Sequence, residues 1–93
     1  MLTVNEYFNG TVKSIGFNNN EGKATVGVME IGEYEFGTST VEYMTVVSGV
    51  LSVKLPGSSE YVDFKKGETF IVEKDQKFQL IVKEQTSYLC IYK

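Results

Sequence analysis

Alternation of charged and aromatic residues is clearest in the stretch GEYEFGT, from Gly32 to Thr38. Glutamates occupy one set of alternate positions there, and Tyr34 and Phe36 occupy the other. Because successive side chains of a β-strand point to opposite faces, this pattern predicts a half-buried strand with Tyr34, Phe36 and Thr38 directed inward.

The next stretch, Val41–Ser48, is largely apolar on both of its alternating faces. Such a pattern predicts a central strand that is covered on both sides. A single acid, Glu42, interrupts the apolar run. Since an ionised carboxylate in a half-buried strand is costly unless it is paired, Glu42 is the first candidate for a functional residue.

Period-2 patterns separated by turn signals continue along the chain, and no window has a 3.6-residue apolar stripe. In one of these stretches, Lys23–Glu30, the predominantly apolar face consists of Ala24, Val26 and Val28. Short strands with closely spaced turns and no helices predict an all-β fold, here a small closed jelly-roll barrel forming a single domain over residues 1–93. The further strands are predicted over Thr11–Phe17, Lys23–Glu30, Val50–Leu55, Tyr61–Phe64, Thr69–Glu73, Phe78–Val82 and Thr86–Tyr92.

Composition removes several classes of function. The chain has no histidine, its basic residues are all lysine, and Cys90 is the only cysteine, so the usual zinc, iron and copper sites and His-activated nucleophiles are disfavoured. A net charge of −3 with scattered lysines argues against polymeric nucleic acid as a partner. No stretch approaches the about 20 apolar residues of a membrane span, and the first residues do not resemble a signal peptide, so we expect no membrane association and a cytoplasmic location.

Apolar residues at the two ends of the chain bear on assembly. Tyr7 and Phe8 precede the turn dipeptide Asn9-Gly10 and predict a short arm lying on the barrel. The terminal strand, Thr86–Tyr92, is apolar on both faces, which predicts a homodimer contact through one of those faces or through the arm. The alternative is that the inner barrel and the arm cover both faces within one chain.

Two spacings resemble the cupin motifs. Glu42–Gly49 has the E-x6-G spacing that ends the first motif, and the stretch from Gly67 to Phe78 resembles the second. By this resemblance, the metal-binding histidines of the first motif would fall near Phe36 and Thr38, and that of the second at Phe78. All are replaced by residues that do not bind metals, which implies a cupin barrel without a metal site.

Over its whole length the chain resembles the pyrimidine/purine nucleoside phosphorylase family of short cupin-like bacterial proteins. Departures from the family pattern are Glu73 in place of proline, and Lys23 and Ile91 where arginine can occur. The resemblance implies phosphorolysis of purine and pyrimidine nucleosides to free base and pentose 1-phosphate, with no metal or other cofactor. The blocks that carry it are NEYF at Asn5–Phe8, VKSIGF at Val12–Phe17, VGVM at Val26–Met29, GEYEF at Gly32–Phe36, EYMTVVSG at Glu42–Gly49 and TSYLC at Thr86–Cys90.

Phosphorolysis requires groups for phosphate, pentose and base. For phosphate, the candidates are Lys13 and Ser14, since arginine is absent; Lys13 is equally compatible with a solvated charge. Glu42 is the catalytic candidate, either accepting hydrogen bonds from pentose hydroxyls or donating a proton to the base. Its structural alternative is a pairing with a lysine or backbone amides.

Aromatic and hydroxyl side chains complete the predicted substrate site. Stacking on aromatic rings tolerates different bases, although each ring taken alone is more often part of a core. The candidates are Tyr34, Phe36, Phe78 and Tyr88 for the base, and Thr38 and Thr40 for the sugar. The competing function is a non-catalytic cupin that binds a small metabolite or serves as a structural dimer.

Overall fold

A computed structural model describes residues 2–93, so only Met1 of the predicted domain lies outside it. Within that range the chain forms ten strands and no helix. No described helix is long and apolar enough to span a membrane. The strands are β1 (Thr3–Tyr7), β2 (Val12–Asn19), β3 (Gly22–Met29), β4 (Gly32–Gly37), β5 (Glu42–Ser48), β6 (Val50–Lys54), β7 (Val62–Lys65), β8 (Thr69–Val72), β9 (Lys77–Val82) and β10 (Thr86–Tyr92).

The strands form two antiparallel sheets whose inner faces pack together. The larger sheet has the order β1-β2-β3-β10-β5-β8 and the smaller has the order β4-β9-β6-β7. The predicted jelly roll is therefore confirmed. Its core takes side chains from both sheets, including Val12, Met29, Tyr34, Met44, Val46, Leu51, Val53, Phe70, Val72, Phe78, Leu80, Val82 and Tyr88.

The chain passes from the larger to the smaller sheet at Gly49, between β5 and β6. Gly49 has φ +103°, and a Cβ there would collide with the side chain of Thr86. The buried Thr86 Oγ1 accepts a hydrogen bond from Val50 N at 3.2 Å and lies 3.1 Å from the carbonyl oxygen of Val50 and 2.9 Å from that of Glu84. This hydroxyl satisfies backbone groups that leave the sheet ladder at the crossing.

The N-terminal arm lies on the barrel as predicted. β1 pairs antiparallel with β2 at the edge of the larger sheet, and the chain then turns at Phe8 and Asn9, both of which have positive φ. The Phe8 ring packs against Tyr34 and Phe36, with centroid distances of 5.1 and 5.4 Å. The arm therefore covers one end of the barrel.

The outer face of the larger sheet is apolar. In β3 the inward residues are Thr25, Gly27 and Met29, so the more apolar face of this strand points outward, with Val26 and Val28 45% and 50% exposed. On β5, Val47 is 48% exposed on the same outer surface. The prediction that β5 is covered on both sides is thus wrong for the single chain, because the arm lies over the barrel end and leaves this face open.

Candidate active site

A cavity of about 140 Å³ lies between the two sheets at the barrel end covered by the arm. Strands from both sheets contribute to its wall, and Tyr7 at the end of β1 closes one side. Its lining residues are Tyr7, Ser14, Met29, Phe36, Gly37, Glu42, Met44, Phe78, Tyr88, Cys90 and Tyr92.

Glu42 is the only carboxyl group in the cavity lining. It is the first residue of β5, half-buried, and pairs across the ladder with Tyr92 of β10. The Cys90 thiol donates a hydrogen bond to Glu42 Oε1 at 3.6 Å. Burial raises the pKa of the Glu42 carboxyl above its ordinary value, and the hydrogen bond from Cys90 acts in the opposite direction.

Tyr88 lies against the backbone of β3. A Cβ on Gly27 would lie 2.5 Å from the Tyr88 hydroxyl oxygen, so the close approach of this side chain requires glycine. Burial raises the pKa of Tyr88 to about 12, while a hydrogen bond with Ser14 acts in the opposite direction. Ser14 Oγ in turn accepts a hydrogen bond from Asn5 Nδ2 at 3.4 Å.

Cys90 and Tyr92 extend this polar wall along β10. Burial, followed by the neighbouring Glu42 charge, raises the pKa of the Cys90 thiol to about 12. The Tyr92 hydroxyl lies 3.2 Å from Thr25 Oγ1, and burial also raises the pKa of Tyr92. Because Tyr88, Cys90 and Tyr92 remain protonated near neutral pH, Glu42 is the acid of this wall that can carry a negative charge there.

Aromatic rings form the opposite wall. Phe36 and Phe78 stack with their centroids 5.9 Å apart, and the Tyr7 ring meets Phe36 edge-on at 6.3 Å. The structure thus brings Phe36 and Phe78 together with Glu42, as the resemblance to the cupin motifs implied. In residues 2–93, no group of three or more His, Cys, Asp or Glu side chains is placed to hold a metal ion.

Some of the predicted site residues lie elsewhere. Lys13 points to the outer face of the larger sheet, because consecutive residues of a strand face opposite sides, so it is not brought together with Ser14. Tyr34 is directed inward as predicted, but its hydroxyl donates a hydrogen bond to the carbonyl oxygen of Glu30 at 2.7 Å and its ring packs outside the cavity lining.

The two predicted threonines also lie outside the cavity. Thr38 follows β4 and is buried, and its Oγ1 donates to the Glu73 carbonyl oxygen at 2.6 Å and accepts from Gln76 N at 3.0 Å. These bonds fasten the end of β4 to the turn before β9. Thr40 is exposed in the loop before β5. The placement of both residues therefore does not support a contact with the sugar.

Several lining residues were not among the predicted site residues. The sequence predicts Tyr7 only as part of the arm and assigns Cys90 no role in the site. The signal for Cys90 and Tyr92 was present, because both share the alternating face of β10 with the predicted Tyr88. The position of Tyr7 depends on the turn at Phe8 and Asn9, which sequence patterning does not specify.

The two facing sheets with a cavity at one end form a cupin-type fold. A solved RmlC-like cupin from Shewanella frigidimarina superposes with a TM-score of 0.74 over 95% of this chain and 79% of that one, at 18% identity, a similarity that shows the fold alone. A protein of unknown function from Vibrio parahaemolyticus superposes with a TM-score of 0.96, at 47% identity, over 100% of this chain and 99% of that one.

The chain belongs to the pyrimidine/purine nucleoside phosphorylase family, whose sequence model matches residues 2–92. A pyrimidine/purine nucleoside phosphorylase from Pseudomonas putida is 62% identical over 100% of this chain and 99% of that protein. Its counterpart from Pseudomonas aeruginosa is 57% identical over the full length of both chains. The family resemblance drawn from the sequence is confirmed.

Proposed function

We propose that this protein is a nucleoside phosphorylase, a pentosyltransferase that cleaves purine and pyrimidine nucleosides with inorganic phosphate and needs no metal. The observation that carries the proposal is the half-buried Glu42 carboxyl in a cavity of neutral hydroxyl and thiol groups. Membership of the family over residues 2–92 and the names of the relatives support it.

The volume of the cavity favours the pentose as its occupant. An engineered protein cavity of about 150 Å³ holds one benzene molecule, so about 140 Å³ suits a single ring rather than a complete nucleoside. Purines and pyrimidines differ in size, whereas their nucleosides share the pentose. The pentose therefore enters the cavity, and the base stays at the mouth beside Tyr7 and Phe36, where stacking tolerates both ring systems.

In this arrangement Glu42 acts as a carboxylate. It accepts hydrogen bonds from pentose hydroxyls and stabilises the positive charge that develops on the sugar as the glycosidic bond breaks. A phosphate oxygen forms the new bond to C1′, and the electron pair of the C1′–N bond leaves with the base. The base nitrogen takes up a proton from solvent at the mouth, so atoms and charge balance.

The phosphate contact is proposed for Ser14, whose hydroxyl lines the cavity, and not for Lys13, which lies on the outer face. Phe78 and Tyr88, which the sequence predicted for the base, are proposed here as a wall for the pentose. Tyr34, Thr38 and Thr40 support the barrel or lie outside the lining, and we assign them no substrate contact.

The direct test is to incubate the purified protein with inosine and with uridine, with and without phosphate, and to measure the released base. We expect release from both nucleosides only when phosphate is present, and the same rate after addition of a chelator. Absence of phosphate-dependent release across several nucleosides would remove the proposal. Chelator sensitivity would instead contradict the metal-independent mechanism.

The exposed apolar surface favours a second proposal, that the protein is a homodimer joined through the outer face of its larger sheet. A cytoplasmic location is proposed from the sequence alone. Val26, Val28 and Val47 are each close to half exposed on this face. Exposed apolar patches of this kind are typical of protein interfaces. A dimer without nucleoside cleavage would leave the alternative function, a structural or metabolite-binding cupin.

A further inference from the structure

A polar groove of about 310 Å³ adjoins the cavity along the inner face of β1, β2 and β3. Tyr7 and Tyr92 line both the cavity and the groove, so the two spaces share a wall. The groove is otherwise lined by Thr3, Asn5, Gly16, Phe17, Asn18, Lys23 and Thr25.

Lys23 is the only charged residue of the groove lining. It occupies the inward alternation of β3 that continues through Thr25, and it pairs across the β2–β3 ladder with Asn18. Its Nζ lies 5.4 Å from the centroid of the Tyr92 ring, on the shared wall. The side chain is therefore directed towards the cavity, whereas Lys13 points to the opposite side of the same hairpin.

Hydrogen bonds connect the groove to the cavity lining at two points. Asn5 Nδ2 donates to Ser14 Oγ at 3.4 Å, and Thr25 Oγ1 lies 3.2 Å from the Tyr92 hydroxyl. Amide, hydroxyl and ammonium donors thus line the groove next to the cavity, and none of its lining side chains is an acid. Such a set of donors suits an oxyanion, and a lysine ammonium binds phosphate as a point charge.

We propose that the groove binds inorganic phosphate, with Lys23 supplying the positive charge and the amides of Asn5 and Asn18 donating hydrogen bonds. The proposal rests on the proposed function, which requires phosphate beside a pentose held in the cavity. Ser14 lines the cavity and accepts a hydrogen bond from Asn5 of the groove, so it lies where the two spaces meet.

The test compares Lys23→Met with Lys13→Met, which removes a lysine from the other face of the same hairpin. With uridine saturating, we expect Lys23→Met to raise the KM for phosphate on the order of tenfold or more, because it removes a charge-assisted contact. The KM for uridine should stay within about twofold of the original, and Lys23→Arg should restore most of the phosphate affinity. Lys13→Met should leave both KM values unchanged.

Inorganic phosphate alone provides a readout that does not need turnover. A ligand that binds the folded state raises Tm. Phosphate should therefore raise the Tm of the original protein and of Lys13→Met, and it should raise the Tm of Lys23→Met much less. Equal phosphate responses of the two lysine variants, or no response in the original protein, would overturn the groove assignment. If Lys23→Met loses the Tm response to phosphate and the original protein releases no base, the phosphate site is upheld and the phosphorylase proposal is refuted.

Discussion

Glu42 places a group that can ionise where the fold favours its neutral form. Burial in the cavity raises its pKa, so the ionised carboxylate present at neutral pH opposes folding. This penalty is absent at pH values below the ordinary glutamate pKa, where Glu42 is protonated in both the folded and the unfolded state. It develops as pH rises through the raised pKa of Glu42 in the folded protein. Function and stability therefore make opposite demands at this residue.

Glu42→Gln should consequently stabilise the protein and impair catalysis. We expect Tm at pH 7 to rise by a few degrees, and the gain to disappear at about pH 4. Phosphorolysis should fall on the order of a hundredfold, the scale for loss of a group that stabilises transition-state charge. The measurements are thermal unfolding at several pH values and kcat/KM for uridine.

The matched control is Glu33→Gln on β4, an exposed glutamate outside the cavity lining, which should change neither quantity appreciably. In the original protein, activity should fall as pH decreases through the raised pKa of Glu42, because the protonated carboxyl no longer stabilises positive charge. A Glu42→Gln variant that folds and retains full activity would refute the assignment.

Gly27 offers a steric test of the cavity wall. Its φ is not in the left-handed region, so Gly27→Ala acts through the contact between the new Cβ and Tyr88 rather than through backbone strain. Overpacking of this kind costs about 1–3 kcal/mol. We expect a lower free energy of unfolding in urea and a higher KM for nucleoside as Tyr88 is displaced.

Gly16→Ala is the corresponding control on the neighbouring strand, because a Cβ at Gly16 would have its nearest neighbour at 3.8 Å. It should leave the KM for nucleoside unchanged, because Gly16 lines the groove and not the cavity. Equal effects of the two glycine variants would show that the approach of Tyr88 to β3 is not what sets the shape of the cavity.

At the scale of elements, the crossing between β5 and β6 depends on one buried hydroxyl. Thr86→Val keeps the shape of the side chain but leaves Val50 N without its hydrogen-bond acceptor. An unsatisfied buried backbone group costs about 1–3 kcal/mol, and Tm should fall by roughly 4–8 °C per kcal/mol in a domain of this size. Urea and thermal unfolding measure both quantities.

Thr69→Val on the edge strand β8 makes the same chemical change at an exposed hydrogen bond with Thr45. We expect an effect within about 0.5 kcal/mol there. If the two variants lose equal stability, the crossing at Gly49 does not depend on Thr86.

The strands show how far sequence patterning determines this fold. In β4 and β10, alternation predicted which residues share a face, and the inward position of Tyr34 is confirmed. In β3, alternation separated the two faces, but the more apolar one points outward because Gly27 must face Tyr88. Which face is inner depends on partners distant in sequence, so one strand read alone does not decide it.

The candidate site was predictable only in part for the same reason. Glu42 stood out because an acid in an apolar strand requires an explanation, and Phe78 and Tyr88 lie on alternating inward faces. Thr38 was inward by pattern, yet β4 ends at Gly37 and its hydroxyl bonds to backbone groups. Lys23 lines the groove because β1, β2 and β3 pack side by side, an arrangement that no local sequence pattern reveals.

At the scale of the whole molecule, the outer face of the larger sheet predicts self-association. Val26→Lys should give a monomer in size-exclusion chromatography with light scattering, because it places a charge in the proposed dimer contact. Val62→Lys on β7 is the control, since Val62 is 51% exposed but belongs to the smaller sheet. A monomeric original protein, or a Val26→Lys variant that stays dimeric, would contradict this interface.

The alternation of inward and outward residues in β3 limits where the chain can gain or lose residues. Deleting one residue within the strand would exchange Thr25 and Gly27 with their valine neighbours, placing a side chain beneath Tyr88 where only glycine fits and turning polar groups outward. A substitution in β3 alters either the inner or the outer face of the larger sheet, whereas a one-residue shift of register disrupts both faces together. Insertions and deletions should therefore be tolerated only in turns such as residues 20–21, which belong to neither surface.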